Sequence, residues 1–368
     1  MNTSLSAEKV RANRVQSRTC SNYAEVQPKF GKAKVDIAVL ILFFNRPGCL
    51  KKVYDEIRKA RPARLFLYQD GPRGEHDMEG IMACRKVVEN VDWECDVHRN
   101  YQEKNQGVDP ANYNAQKWAF SLADKCVVFE DDSIPSVSFL SFCKEMLDRY
   151  ENDERICMIT GFNTDEITPD VKDDYFFTSV FSIWGWASWR RVIDKWDNTY
   201  AFLDDEDAMG KVRGAMKQRG LVEDTLKACY SHRASSKDYY ETIFWSTMVL
   251  NNQLAIMPSK NMINNLGPLA GDAAHFTADF ATLPKAQRRL FTMGRYELDF
   301  PLKHPKYVID HVAYKERNFR INAHGHPLIK ICQSVEQLFL NLRYGNISNI
   351  TKAVRRRFAK MTGKFKHS

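Results

Sequence analysis

Residues 36–44 read DIAVLILFF and are followed by Asn45-Arg46-Pro47. An apolar run of this length, with no polar alternation, suits a strand buried on both faces, as in the interior of a parallel sheet. Proline fits the first turn of a helix, so the strand stops here and a helix begins. Leu50, Val53, Tyr54 and Ile57 then recur at helical spacing over residues 48–60. A strand delivered straight into a helix is the opening of an α/β domain.

The pattern repeats. Residues 64–68 form a second strand that ends in Gln69-Asp70-Gly71-Pro72, a strong turn signal. A helix is predicted over 76–90, a strand over 95–99 and a helix over 111–122. Residues 126–129 (CVVF) form a short buried strand followed at once by Glu130-Asp131-Asp132, with a helix over 136–150. Such alternation implies a mainly parallel sheet with flanking helices. Ligands of open sheets bind at the carboxyl ends of the strands. Arg46, Asp70 and the acidic triplet all fall there.

Beyond residue 150 the pattern is less regular. Residues 176–197 (FFTSVFSIWGWASWRRVIDKWD) are aromatic and show no clear period. A strand is predicted over 254–257, then a loop rich in Pro, Asn and Gly over 258–277, and a helix over 328–344. Ser348 or Asn349 is a candidate cap for a last helix.

Three adjacent acids behind a buried strand repel one another unless a cation offsets them. Mg²⁺ and Mn²⁺ bind one or two carboxylates and fill their shells with water and phosphate oxygens. The triplet therefore reads as a metal–diphosphate site; the plainer reading is a solvated loop before a helix. A second acidic run, Asp204-Asp205-Glu206-Asp207, follows no strand and reads as a helix start. Asp70 suits either a plain turn or an acceptor for a base or ribose hydroxyl. Arg46 is either a surface arginine or a contact for a nucleotide.

Charge is concentrated at the ends. The net charge is +8, yet residues 350–368 alone hold seven cations and no acid, and residues 1–34 are also basic. The body between is acidic overall, which argues against nucleic acid as a partner. A last helix would align Ile350, Val354, Phe358, Met361 and Phe365 opposite its cations, a pattern suited to an anionic membrane surface. The nine cysteines include no CxxC pair, consistent with a reducing compartment. No apolar run reaches the ~20 residues of a spanning helix, and the first residues lack an apolar signal core. A cytoplasmic protein, peripheral at the inner face of the membrane, is expected.

Taken in order, FFNRP, YQDG, CVVFEDD, WGWASWRRVIDKWD and PSKNMINNLG followed by GDAAHFT resemble the GT-A-type nucleotide-sugar glycosyltransferases. The likeness is to the Golgi N-acetylglucosaminyltransferase I group and to bacterial surface-polysaccharide transferases, some labelled haemolysin-like. It spans about residues 36–280. The resemblance implies that Asp132 ligates Mn²⁺ or Mg²⁺ and that Glu130 and Asp131 contact ribose and donor sugar. It implies that Asp70 and Arg46 hold the base, and that His275 meets the metal or diphosphate from a closing loop. It places the general base at Asp238, with Glu241 as the other candidate. Read alone, His275 is a packed or surface histidine, and both acids suit a helix start. Trp184, Trp186 and Trp189 stack on sugars or fill the core.

The expected architecture is a basic lead-in (1–34), a nucleotide-binding half (35–135), an acceptor half (136–300) and a helical C-terminal region (301–368). The expected activity is metal-dependent transfer of a sugar from a nucleoside-diphosphate sugar to a glycan or glycolipid hydroxyl, inverting, in surface polysaccharide or lipopolysaccharide synthesis. The other classes open at this point are a sugar-phosphate nucleotidyltransferase and a non-catalytic lipid- or glycan-binding protein.

Overall fold

The computed structural model describes residues 31–215, 218–270, 280–351 and 355. His275, most of the lead-in and most of the last basic stretch lie outside the described residues. Among the described residues there are ten strands: β1 (Val35–Phe43), β2 (Pro62–Gln69), β3 (Asp96–Tyr101), β4 (Lys125–Glu130), β5 (Ser133–Pro135), β6 (Ile156–Thr160), β7 (Tyr175–Thr178), β8 (Trp186–Trp189), β9 (Leu254–Pro258) and β10 (Ile263–Asn265).

Eight of them form one sheet in the order β3-β2-β1-β4-β8-β6-β9-β7. β1 pairs in parallel with β2 and β4, β2 with β3, and β6 with β9. β8 and β7 run against their neighbours. The sheet is thus mainly parallel and flanked by helices, a Rossmann-like α/β fold as expected. β1 is buried from Ile37 to Phe43, which is what its unbroken apolar run demands. β5 and β10 pair separately as a two-stranded antiparallel ribbon.

The helices follow the predicted periods. Pro47–Ala60 begins on its proline and buries Leu50, Val53, Tyr54 and Ile57. Met78–Glu89, Val108–Leu122 and Ser138–Arg149 match the next three predicted helices to within a few residues. The helices Val312–Ile321 and Pro327–Arg343 form the C-terminal appendage. A further helical turn begins at Ile347, so Ser348 and Asn349 lie inside it rather than at its cap.

The aromatic stretch 176–197 is more regular than its sequence suggested. It contains most of β7, all of β8 and a helical turn, Arg190–Ile193. Both strands are four residues long and wholly buried. Strands covered on both sides lack the alternation that would reveal them. Trp186 and Trp189 belong to the core. The cysteines of the described residues are unpaired, and Cys84, Cys126, Cys143, Cys157 and Cys229 are buried, where thiols serve as small apolar groups.

Candidate active site

Three parallel strands end side by side. In register, Phe43 lies opposite Gln69 and Leu42 opposite Glu130. The residues that follow emerge along one edge of the sheet: Asn45 and Arg46 after β1, Asp70 after β2, Asp131 and Asp132 after β4. Together with Asn105, Val108, Asn112, Trp184 and Asn265 they line a cleft of about 590 Å³. This is the position that open α/β sheets reserve for ligands.

The β5–β10 ribbon supplies another wall. Its register sets Asn265 opposite Ser133. The Leu266 N–H donates to the Asp132 carbonyl at 2.8 Å, and the Asn265 amide donates to Asp132 Oδ1 at 3.3 Å. The NMINNLG part of the sequence-predicted closing segment is therefore fastened to the triplet.

Arg46 partly answers the charge of the triplet. Its guanidinium pairs with Asp131 and, at 3.1 Å, with Asp132 Oδ2. This corrects the expectation that a divalent cation alone makes the acids tolerable. Arg46, expected to contact a base, turns its charge toward the acids. Asp131 is 3 % exposed and Asp132 is 7 % exposed.

Arg46 does not restore the balance fully. Burial is the largest influence on Asp131 and holds its carboxyl above the usual range, against the pull of Arg46. Glu130 is raised by burial and then by the charges of Asp132, Glu241 and Asp131. Because Glu130 is only half-buried and opens onto the cleft, solvent screens part of that effect. Negative charge in excess, presented by hard oxygen donors, fits a divalent ion. Among the described residues no three His, Cys, Asp or Glu side chains form a ready metal cage. An ion here would take one or two carboxylates, with substrate phosphate completing its shell.

Asp70 is occupied by its own surroundings. Its Oδ1 accepts from the N–H groups of Gly71 and Gln106 at 2.8 and 2.9 Å. Its Oδ2 accepts from the Asn105 amide at 2.9 Å and from the Gly107 N–H at 3.2 Å. These four bonds use about the full capacity of a carboxylate. They pin the loop before the helix Val108–Leu122 to the turn after β2. Burial nevertheless raises the Asp70 carboxyl despite its backbone hydrogen bonds.

Gly71 makes that junction possible. A Cβ there would sit 2.4–2.6 Å from the backbone of Lys104. Gly71→Ala is expected to destabilise the chain by about 1–3 kcal/mol, as overpacking does, and to weaken ligand binding in the cleft. Thermal melts and ligand titration of the variant check this. A melting curve equal to wild type would mean the loop yields freely.

The two candidate bases differ in placement. Asp238 accepts from the Asn198 amide at 2.8 Å. Glu241 stands in the first turn of the helix Tyr240–Leu250. Its charge adds to the upward shift of Glu130, and the hydroxyl of Tyr240 beside it donates to Glu130 Oε1 at 3.3 Å. The lining of the cleft includes neither acid. Trp184, by contrast, lines it. Its ring packs edge-on to Phe162 with centroids 4.7 Å apart. The next residue, Gly185, has φ of 68°, and a Cβ there would meet Ile263 at 2.5 Å. Glycine at this position lets the chain turn into β8 while holding Trp184 at the cleft.

Asn105, Asn112, Tyr240 and Asn265 were not singled out from sequence. Isolated amides and a lone tyrosine carry no periodic or spacing signal. Only Asn265 lay within a quoted motif. The run Asp204-Asp205-Glu206-Asp207 is the helix start it was read as, since Asp205 Oδ1 accepts from the N–H groups of Asp207 and Ala208.

No family model matches the chain, and no curated protein matches its sequence. Solved structures with a similar chain course include an inositol-1-phosphate CTP transferase from T. maritima. It is 12% identical with a TM-score of 0.35, and the match covers 70% of this chain and 96% of that one. Another is mouse xyloside xylosyltransferase 1 in its apo form, 8% identical with a TM-score of 0.32, covering 58% of this chain and 81% of that one. A third is 4-diphosphocytidyl-2C-methyl-D-erythritol synthase from Anaerococcus prevotii, 10% identical with a TM-score of 0.27, covering 47% of this chain and 77% of that one.

Proposed function

We propose that the chain is a glycosyltransferase that takes a nucleoside-diphosphate sugar in the cleft at the ends of β1, β2 and β4. It passes the sugar to a hydroxyl of a glycan or lipid-linked acceptor in surface polysaccharide or lipopolysaccharide synthesis. The observation that carries this reading is the convergence of Glu130, Asp131 and Asp132 with Arg46 and the Asp70-pinned loop in one cleft. That arrangement offers carboxylates for a divalent ion, a cation for phosphate and a shaped wall for a nucleoside.

Asp132 and Asp131 would hold Mn²⁺ or Mg²⁺, which supplies charge neutralisation for the departing diphosphate. Arg46 would exchange a carboxylate for a phosphate oxygen as donor and ion arrive. Asp70 acts through the loop it fixes, which forms the wall for the base. Trp184 offers a ring face to the sugar or acceptor. The acceptor oxygen attacks the anomeric carbon while the bond to the diphosphate breaks, and that electron pair leaves with the phosphate. The hydroxyl proton passes to a carboxylate. Attack opposite the leaving group inverts the anomeric centre.

Glu241 is favoured as the base over Asp238, because it directly follows Tyr240, whose hydroxyl donates to Glu130, whereas Asp238 is engaged by the Asn198 amide. Glu241→Gln is expected to lower kcat by about 10²–10⁴-fold, with donor affinity preserved. A loss confined to Asp238→Asn would move the base to Asp238.

The reading is tested by calorimetry of UDP-, GDP- and CMP-sugars with and without Mn²⁺, followed by product analysis. Release of the free nucleotide and a transferred sugar is expected. Release of pyrophosphate would mark a nucleotidyltransferase. Sugar-nucleotide binding without turnover for any acceptor would mark a binding protein.

A further inference from the structure

The helix Pro327–Arg343 is amphipathic in the wrong sense for a chain surrounded by water. Its inward face carries polar groups around a single buried leucine, Leu340. Gln333 donates to the Ile321 carbonyl at 2.9 Å, Glu336 accepts from the Lys285 N–H at 2.8 Å, and Asn341 is buried beside Leu340. Its outward face holds Leu328, Ile331, Val335, Leu338 and Leu342, which are 46–76 % exposed. Phe339 and, just past the helix, Tyr344 and Ile347 are exposed as well. Spacings of three and four residues place the five aliphatic side chains on one continuous stripe. Contiguous exposed apolar surface of this kind marks an interaction site.

Charge identifies what covers it. Lys330 and Arg343 are exposed, while Glu336 is half-buried and tied to the Lys285 N–H on the side away from the stripe. After Glu336 the sequence contains no acid, and eight Lys and Arg residues follow. An apolar stripe with no acid on it or beside it, continued by a sequence whose only charges are cations, complements an anionic lipid surface. A second copy of the chain is disfavoured by the uncharged residues beside the stripe. In paired helices the positions beside the seam carry opposite charges; here they are Cys332, Ser334, Phe339 and Asn341. No helix among the described residues is long and apolar enough to cross a membrane.

We propose that the outward face of Pro327–Arg343 lies in the interface of an anionic lipid bilayer, with Leu328, Ile331, Val335, Leu338 and Leu342 entering the acyl boundary. The helix is a described, folded element, so this goes beyond attraction of a basic tail. It is also independent of the transfer reaction, because binding is read without turnover.

The experiment is co-sedimentation of the full chain with vesicles of phosphatidylcholine containing 30 mol % phosphatidylglycerol, and with phosphatidylcholine alone, at about 0.1 and 0.5 M NaCl. Salt at the higher level screens surface electrostatics to within about 4 Å and leaves apolar insertion in place. Wild type is expected to partition onto the anionic vesicles at both salt levels. Val335→Gln combined with Leu338→Gln should reduce that partition at least tenfold at both, with an unchanged thermal melt. Equal partition of wild type and the double variant would overturn the proposal and leave the basic extension as the binding element. Dimerisation by light scattering that the double variant abolishes, without vesicle binding by wild type, would overturn it in favour of a second copy.

Discussion

Asp132→Asn is expected to lower transfer by about 10²–10³-fold while leaving the chain folded. Asp132 receives hydrogen bonds from Asn265 and the Ser133 hydroxyl and an ion-pair contact from Arg46, and its backbone carbonyl is held by Leu266. The amide keeps the shape and the Asn265 contact can be remade, so the β5–β10 ribbon stays in place. What is lost is a unit of negative charge at the point where a divalent ion and a diphosphate would meet. Electrostatic elements aimed at developing charge are worth about this much when removed singly. Donor affinity in Mn²⁺ should fall, whereas affinity measured in EDTA should change little. Steady-state assays and calorimetry on the same protein separate the two. An Asp132→Asn enzyme with wild-type turnover would remove the triplet from the reaction.

The features legible in the sequence were those with a period or a punctuation mark. The run DIAVLILFF read as an inner strand, and Pro47 marked where its helix began. The parallel register then forced Arg46, Asp70 and the triplet onto one edge, so the location of the cleft followed from three strand ends. What could not be read was which charged group satisfies which. Arg46 and Asp131 are separated by 85 positions, and nothing in FFNRP says that its arginine turns toward the acids rather than toward a ligand. Asp70 shows the same limit. Its DG turn was visible, but the Asn105, Gln106 and Gly107 donors that saturate it lie on a loop without any motif. β8 escaped notice because antiparallel insertion between β4 and β6 leaves Trp186–Trp189 buried on both sides, so its residues show no alternation.

Arg46→Gln should be the most destabilising single change at the site. The arginine is largely covered and bridges two carboxylates that are nearly inaccessible. Removing one partner of a buried pair leaves the other charge uncompensated, at a cost of about 3–5 kcal/mol. The carboxyls respond by holding their protons. Asp131 is already raised by burial with Arg46 present, and without it the shift must grow. A carboxyl raised by folding contributes stability that is complete below its unfolded pKa, near 4, and is lost as pH rises through the folded value. The variant should therefore lie closest to wild type in mildly acidic buffer and fall away from it toward neutral and alkaline pH. Mn²⁺ should recover part of the loss at pH 7–8, since an ion bound only to the folded state stabilises it by mass action. Chemical denaturation of both proteins across pH, with and without Mn²⁺, reads all of this directly. A constant deficit at every pH, untouched by the ion, would show that Arg46 serves packing alone and that the acids behind β4 need no counter-charge.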